Sequence, residues 1–172
     1  MNPIERGYCS AWLAGQRLRG DERVLVFGPT PAALAERLAD RLKSGMVTCV
    51  DSTGGLAGLA SPGLGRRQNV SLPAGNICTM DLPDGAFDVV FADRAICRMG
   101  LVERQSVMQR IARLLKPAGE LREREQAGPR GMAADELANL AGLAGLRVLK
   151  LEYANTLRFG RMVDAVFVRS SY

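Results

Sequence analysis

The chain has 172 residues, 47% of them hydrophobic, a formal net charge of +5 and no histidine. That length and composition suit one domain with a sizeable apolar core. The missing imidazole excludes Ser-His-Asp and Cys-His nucleophile systems, histidine general bases and Cys/His zinc sites.

No apolar run approaches the roughly 20 residues of a membrane span. The opening "MNPIERGYCSAWLAG" places Glu5 and Arg6 early and lacks the long apolar core of a secretory signal, so a cytoplasmic location is expected. The basic residues are interleaved with Asp and Glu, and the tightest cluster is Arg66 and Arg67. Such a distribution reads as a solvated surface rather than a nucleic-acid footprint. Cys9, Cys49, Cys78 and Cys97 form no C-x-x-C pair and are read as small, buried apolar residues.

Residues 4–18 predict a short helix with Tyr8, Trp12 and Leu13 at helical spacing, giving an N-terminal helical segment (1–20) ahead of a single domain (21–172). "RVLVF" predicts a buried strand. Thr30 then stands where a helix N-cap belongs and Pro31 where the first helical residue belongs. Leu34, Leu38 and Leu42 recur every four residues, and Gly45 closes that helix. "MVTCV", ending at Asp51, is a second strand, and "STGGLAGLASPGLG" is too rich in Gly and Pro for a helix.

"NVSL" is a short third strand, and "FDVVFA" a fourth behind the turn "LPDG". "VERQSVMQRIARLL" is an amphipathic helix burying Val107, Ile111, Leu114 and Leu115, with Pro117 as its stop. "LREREQAGP" has no buried-strand pattern, so a very short strand or an altered central sheet is expected there. A helix at "MAADELANLAGLAG" and an antiparallel hairpin of "RVLKLEY" and "RMVDAVFV" complete the chain. Strands alternating with helices imply an open, mostly parallel α/β sheet covered on both faces. Ligands of such sheets bind beyond the C-terminal strand ends. That places Gly28 to Thr30, Asp51 and Asp93 along one rim.

Four segments, "VLVFGPTPAALAERLA", "VTCVDST", "AGNICTMDLPDGAFDVVFADRAI" and "MQRIARLLKPAGEL", stand in the order of those in the class I S-adenosylmethionine-dependent methyltransferases, which the chain resembles from about Arg23 onward. The resemblance implies a three-layer Rossmann-like sheet ending in an antiparallel hairpin, and S-adenosylmethionine as cofactor. It implies that Gly28, Pro29 and Thr30 back onto the methionine part and ribose. Asp51, with Ser52 after it, would accept hydrogen bonds from the ribose hydroxyls; Asn76 and Ile77 would flank the adenine. Ala92 to Arg94 would lie near the methyl group and acceptor, with Asp93 as the candidate proton acceptor.

The first motif departs from the family's. Val26 stands where an acidic residue is usual, and Thr30 and Ala32 stand at glycine positions. Pro29 fixes φ and removes an N–H. The expected function is methyl transfer to a small-molecule or protein acceptor. The alternative is an inactive protein of the same fold serving as a binding or assembly partner. A dinucleotide-dependent oxidoreductase would need G-x-G-x-x-G where the chain has "GPTPAA".

Overall fold

The computed structural model describes residues 3–29, 31–53, 63–128, 131–156 and 159–170, with the backbone alone for residues 3–6. Thr30 and most of the Gly-rich stretch after Asp51 (54–62) lie outside the described residues. The elements are α1 (Pro3–Ala14), β1 (Arg23–Gly28), α2 (Ala32–Arg41), β2 (Met46–Asp51), β3 (Val70–Ser71), β4 (Phe87–Asp93), α3 (Leu101–Leu114), β5 (Leu115–Gln126), α4 (Ala134–Leu143), β6 (Leu146–Thr156) and β7 (Gly160–Arg169). The seven strands form one sheet in the order β3-β2-β1-β4-β5-β7-β6. β1 to β5 pair in parallel, and β7 runs antiparallel to both β5 and β6. The expected α/β sheet with its C-terminal hairpin is therefore present. Among the described residues no helix is long and apolar enough to cross a membrane.

Each inner strand is buried on both faces, so its side chains divide between two cores. On one face Leu25, Phe27, Val90, Ala92 and Phe167 pack against Met108 and Ile111 of α3 and Leu137 of α4. On the other, Val24, Val26, Val89 and Phe91 meet Leu34 and Leu38 of α2 and Tyr8, Cys9, Trp12 and Leu13 of α1. The α1 helix thus contributes to the core, with the Trp12 ring edge-on to Phe91 at 5.5 Å. It ends at Ala14, four residues before the expected end, and Gln16 N–H closes its last turn on the Leu13 carbonyl. Cys9 and Cys49 are buried as expected, whereas Cys78 and Cys97 are half-buried.

The main correction concerns "LREREQ". It is the second half of a twelve-residue strand at the middle of the sheet, and Leu121 to Glu125 are all buried. In-register neighbours share a face. Arg122 beside Phe91 and Arg124 beside Asp93 therefore look toward α1, while Leu121, Glu123 and Glu125 look toward α3 and α4. Pairing succeeds because the charges are consumed locally. Arg124 Nε and Nη2 donate to the two Asp164 oxygens on the neighbouring strand, and its guanidinium lies 4.9 Å from the Trp12 ring centre. Arg122 donates to Glu120 at 2.9 Å and to the Arg17 carbonyl at 3.0 Å. Glu125 accepts the Ile96 and Cys97 N–H groups at 2.7 and 3.2 Å.

Glu123 differs, for it is fully buried and neither carboxyl oxygen has a hydrogen-bond partner. Burial first, and the Glu125 carboxylate beside it second, push its pKa well above the ordinary value, which favours the neutral acid. At the other end of β5 the pairing with β4 jumps from Leu115 to Glu120. Residues 116–119, "KPAG", bulge out there with Ala118 at φ 59°, which accommodates the missing N–H of Pro117.

Candidate functional site

The C-terminal ends of β1, β2 and β4 meet along one rim. Gly28 is in register with Asp51, and the Ser52 N–H donates to the Gly28 carbonyl at 2.8 Å. A Cβ on Gly28 would stand 2.6 Å from the Asp93 carbonyl oxygen, so the approach of β4 to β1 requires glycine here. The single glycine of the first motif is thus explained by sheet packing alone. Pro29 is half-buried just beyond it.

The expected helix start shifts by one residue. Pro31 is the N-cap rather than the first helical residue, α2 begins at Ala32, and the Pro31 carbonyl accepts the Ala35 N–H at 2.9 Å. Proline at φ −76° already has the geometry of a first turn, so its carbonyl can take the first helical bond without side-chain help.

Asp51 ends β2 almost fully buried. Its Oδ1 accepts the Thr53 N–H and the Thr53 hydroxyl, each at 2.8 Å, which fixes the carboxylate in an Asx turn. Ser52 is half-buried beside it. Ile77 is buried in the cluster that holds Phe27 and Val50, the residues preceding Gly28 and Asp51. Asn76 is exposed, and its Oδ1 accepts the Cys78 N–H at 2.8 Å. Ala92 is wholly buried with its methyl in the core, so only its backbone can serve the rim.

Asp93 ends β4 and anchors a polar cluster. Tyr8 of α1 donates its hydroxyl to Asp93 Oδ1 at 2.7 Å, and Arg94 Nη2 donates to Oδ2 at 3.2 Å. The Arg94 guanidinium lies 4.1 Å from the Phe159 ring centre, and Tyr8 meets Phe159 edge-on at 5.0 Å. Burial first, then the Asp93 charge, raise the Tyr8 pKa, so the phenol remains a donor. Arg94 has φ 52°, and its N–H donates to the Arg124 carbonyl at 2.8 Å. With Glu125 holding Ile96 and Cys97, β5 thereby fixes the loop that follows Asp93.

Burial and Glu125 push the Cys97 thiol up to about 12, and burial and Asp51 push Cys49 up to about 12, so neither offers a thiolate near neutral pH. Among the described residues no group of Cys, Asp and Glu is arranged to hold a metal ion. A cleft of about 440 Å³ lies at the opposite rim between Asp88, Lys116 and Glu120. Lys116 and Asp88 already satisfy each other there at 2.8 Å.

The rim therefore brings together Gly28, Asp51, Ser52 and Asp93, while Ile77 is buried in the core cluster with Phe27 and Val50. What the sequence did not indicate is the second layer behind Asp93: Tyr8, Phe159, Arg124 and Asp164. A buried Tyr on an apolar helix face, and arginines within a central strand, are the signals that point to it.

A methyltransferase-domain family model matches residues 24–119. The chain is 41% identical over 68 residues to a malonyl-[acyl-carrier protein] O-methyltransferase of Geobacter sulfurreducens, a stretch covering 40% of this chain and 26% of that protein. The chain thus spans about a quarter of the length of that curated relative. The structure is similar to the N-methyltransferase NodS from Bradyrhizobium japonicum WM9 in complex with S-adenosyl-L-homocysteine, with TM-score 0.77, 16% identity, and coverage of 98% of this chain and 88% of that one. It is also similar to the [4+2]-cyclase SpnF, with TM-score 0.77, 17% identity, and coverage of 97% and 81%. At such identities the likeness is one of fold, which hosts more than one chemistry.

Proposed function

Because the chain belongs to the methyltransferase-domain family, the class I S-adenosylmethionine-dependent methyltransferases, we propose that it transfers a methyl group from S-adenosylmethionine to a small-molecule or protein acceptor. The observation that carries this is the tie of Gly28 to Ser52 beside the buried Asp51 carboxylate at the strand ends. The donor set suits the cofactor. Asp51 supplies acceptor lone pairs for a ribose diol, the Asn76 amide offers hydrogen-bonding groups to an adenine edge, and Ile77 follows it with its side chain anchored in the core. Gly28 and Pro29 form a floor that offers no side-chain charge.

Bound there, S-adenosylmethionine would supply a methyl already activated by its sulfonium. The chain's own contribution is then to hold the acceptor in line and keep water out. Asp93 borders the methyl end. Its oxygens already receive Tyr8 and Arg94, and protonation would weaken these charge-assisted bonds, so Asp93 is a poor acceptor of a proton. That arrangement favours acceptors that attack without first losing a proton, of which a carboxylate is one. The Geobacter sulfurreducens relative is named an O-methyltransferase, which agrees with an oxygen acceptor.

Calorimetric titration with S-adenosylhomocysteine tests the cofactor site. A micromolar Kd is expected, weakened about tenfold or more in Asp51→Asn, since a hydrogen bond to a charged group is worth about 1.5–3 kcal/mol. A folded protein giving no heat at millimolar ligand would overturn the proposal and return the chain to the alternative of an assembly partner.

A further inference from the structure

The segment from Asn76 to Gly85 leads into β4 without a strand or α-helix of its own, and its last residue donates its N–H to the Arg113 carbonyl of α3 at 2.8 Å. The Asn76 carbonyl accepts the Thr79 and Met80 N–H groups at 3.0 and 2.9 Å, which makes one tight turn. The Ile77, Met80 and Leu82 carbonyls turn toward α3. There the Arg110 guanidinium, nine-tenths buried, meets them with its whole fork of donors. Nε donates to the Ile77 carbonyl at 3.3 Å. Nη2 donates to the Met80 and Leu82 carbonyls at 3.1 and 2.7 Å, and Nη1 to Asp84 Oδ1 at 2.5 Å. One side chain thus holds four acceptors spread over eight residues, across sequence separations of 26 to 33.

We propose that Arg110 is a positioning residue for the adenine side of the site: it fixes the backbone from Ile77 to Asp84 so that Asn76 and the Ile77 backbone stand at the rim at a set height. This rests on the cofactor site proposed above. The Ile77 side chain is buried in the core cluster that also holds Phe27 and Val50 of the sheet. Its carbonyl is pinned by Arg110, so the residue is held between the sheet and α3. The role needs an arginine. A lysine would keep the charge, but its single nitrogen cannot span acceptors lying at the angles of a planar fork. Asp84 is largely exposed at its side chain, so the pair is not a buried ion pair on which folding hinges.

The test uses the full chain as Arg110→Lys, Asp84→Ala and Asp51→Asn. Binding of S-adenosylhomocysteine is compared with that of the analogue carrying hypoxanthine in place of adenine, and amide exchange is followed at Cys78, Thr79 and Met80. Arg110→Lys is expected to speed exchange at those three amides. It should also weaken S-adenosylhomocysteine about tenfold and shrink the preference for adenine over hypoxanthine. Asp51→Asn should weaken both ligands alike, with the preference intact, because it acts on the ribose. Asp84→Ala should move the preference in the same direction by a few-fold, and it decides the matter if Arg110→Lys does not fold. A merely structural arginine would lower thermal stability and leave the preference unchanged, and that result would overturn the proposal while sparing the cofactor site. A wild-type chain that binds neither ligand would overturn both.

Discussion

Strand β4 and the second half of β5 lie side by side in the middle of the sheet and are buried to a similar degree, yet they reach burial by opposite chemistry. From Phe87 to Ala92, β4 is nearly all apolar, with Val90, Phe91 and Ala92 wholly buried. The second half of β5 carries four charged residues in a row, 122–125, all of them buried. Apolar burial is non-directional and can be read from composition. Charged burial depends on the partner being within reach at the right angle, and the partners here come from β7, α1 and the loop after β4. In β5, Arg122, Arg124 and Glu125 are buried because directed hydrogen bonds hold them, and Glu123 because burial favours its neutral acid.

The comparison breaks most sharply at Asp164. Asp164→Ala would leave the Arg124 guanidinium buried among Tyr8 and Trp12 without its carboxylate. Removing one member of a buried pair costs about 3–5 kcal/mol, and the partial exposure of Asp164 sets the expectation near the lower figure. Urea denaturation with an unchanged slope would measure it. A loss within the range of ordinary surface substitutions would mean that the aromatic faces alone hold Arg124.

Glu123 sharpens the comparison in the other direction, as the member of the row with no partner. Its pKa is raised on folding, so the folded chain binds the proton more tightly than the unfolded chain does. Stability from this group is complete below its ordinary value of 4.5 and falls as pH rises through the window above it. Glu123→Gln should flatten that decline, and at pH 8 it should gain about 1 kcal/mol over the wild type by removing a buried ionisable group. An identical slope of stability against pH in the two proteins would contradict the neutral-acid assignment.

The smallest effect is expected at the sheet edge, where Lys150 and Glu152 pair at 2.7 Å with both side chains about half exposed. Lys150→Ala should change stability by less than about 0.5 kcal/mol, and the remaining difference should vanish in high salt. An effect comparable to that of Asp164→Ala would erase the distinction between buried and exposed charge in this sheet.

Several features of the site follow from short-range rules. A strand ending in Gly28 and another ending in Asp51, each at a chain reversal, place both residues on one rim whatever their neighbours do, and the observed register pairs them. Leu34, Leu38 and Leu42 are buried as their spacing requires. Asn76 and Ile77 were marked only by the family resemblance, and nothing local to them shows what holds their segment. The residue that holds their segment, Arg110, lies a further 33 positions along the chain from Ile77 on the buried side of a helix. Its hydrophobic neighbours gave no reason to expect a charge there.

Local sequence patterns were enough to place every strand and helix other than β5, and with them the antiparallel close and the rim where Gly28, Asp51 and Asp93 end their strands. Each of these follows from periodicity, turn chemistry and chain connectivity, which act over a few residues. Only the tertiary structure decided that "LREREQ" is a central strand, that Gly28 is demanded by the Asp93 backbone, and that Tyr8 locks Asp93. These outcomes rest on hydrogen bonds and close contacts between residues up to 105 positions apart. Such pairings have no local signature, because their energy depends on distance and angle in space rather than on the order of residues along the chain.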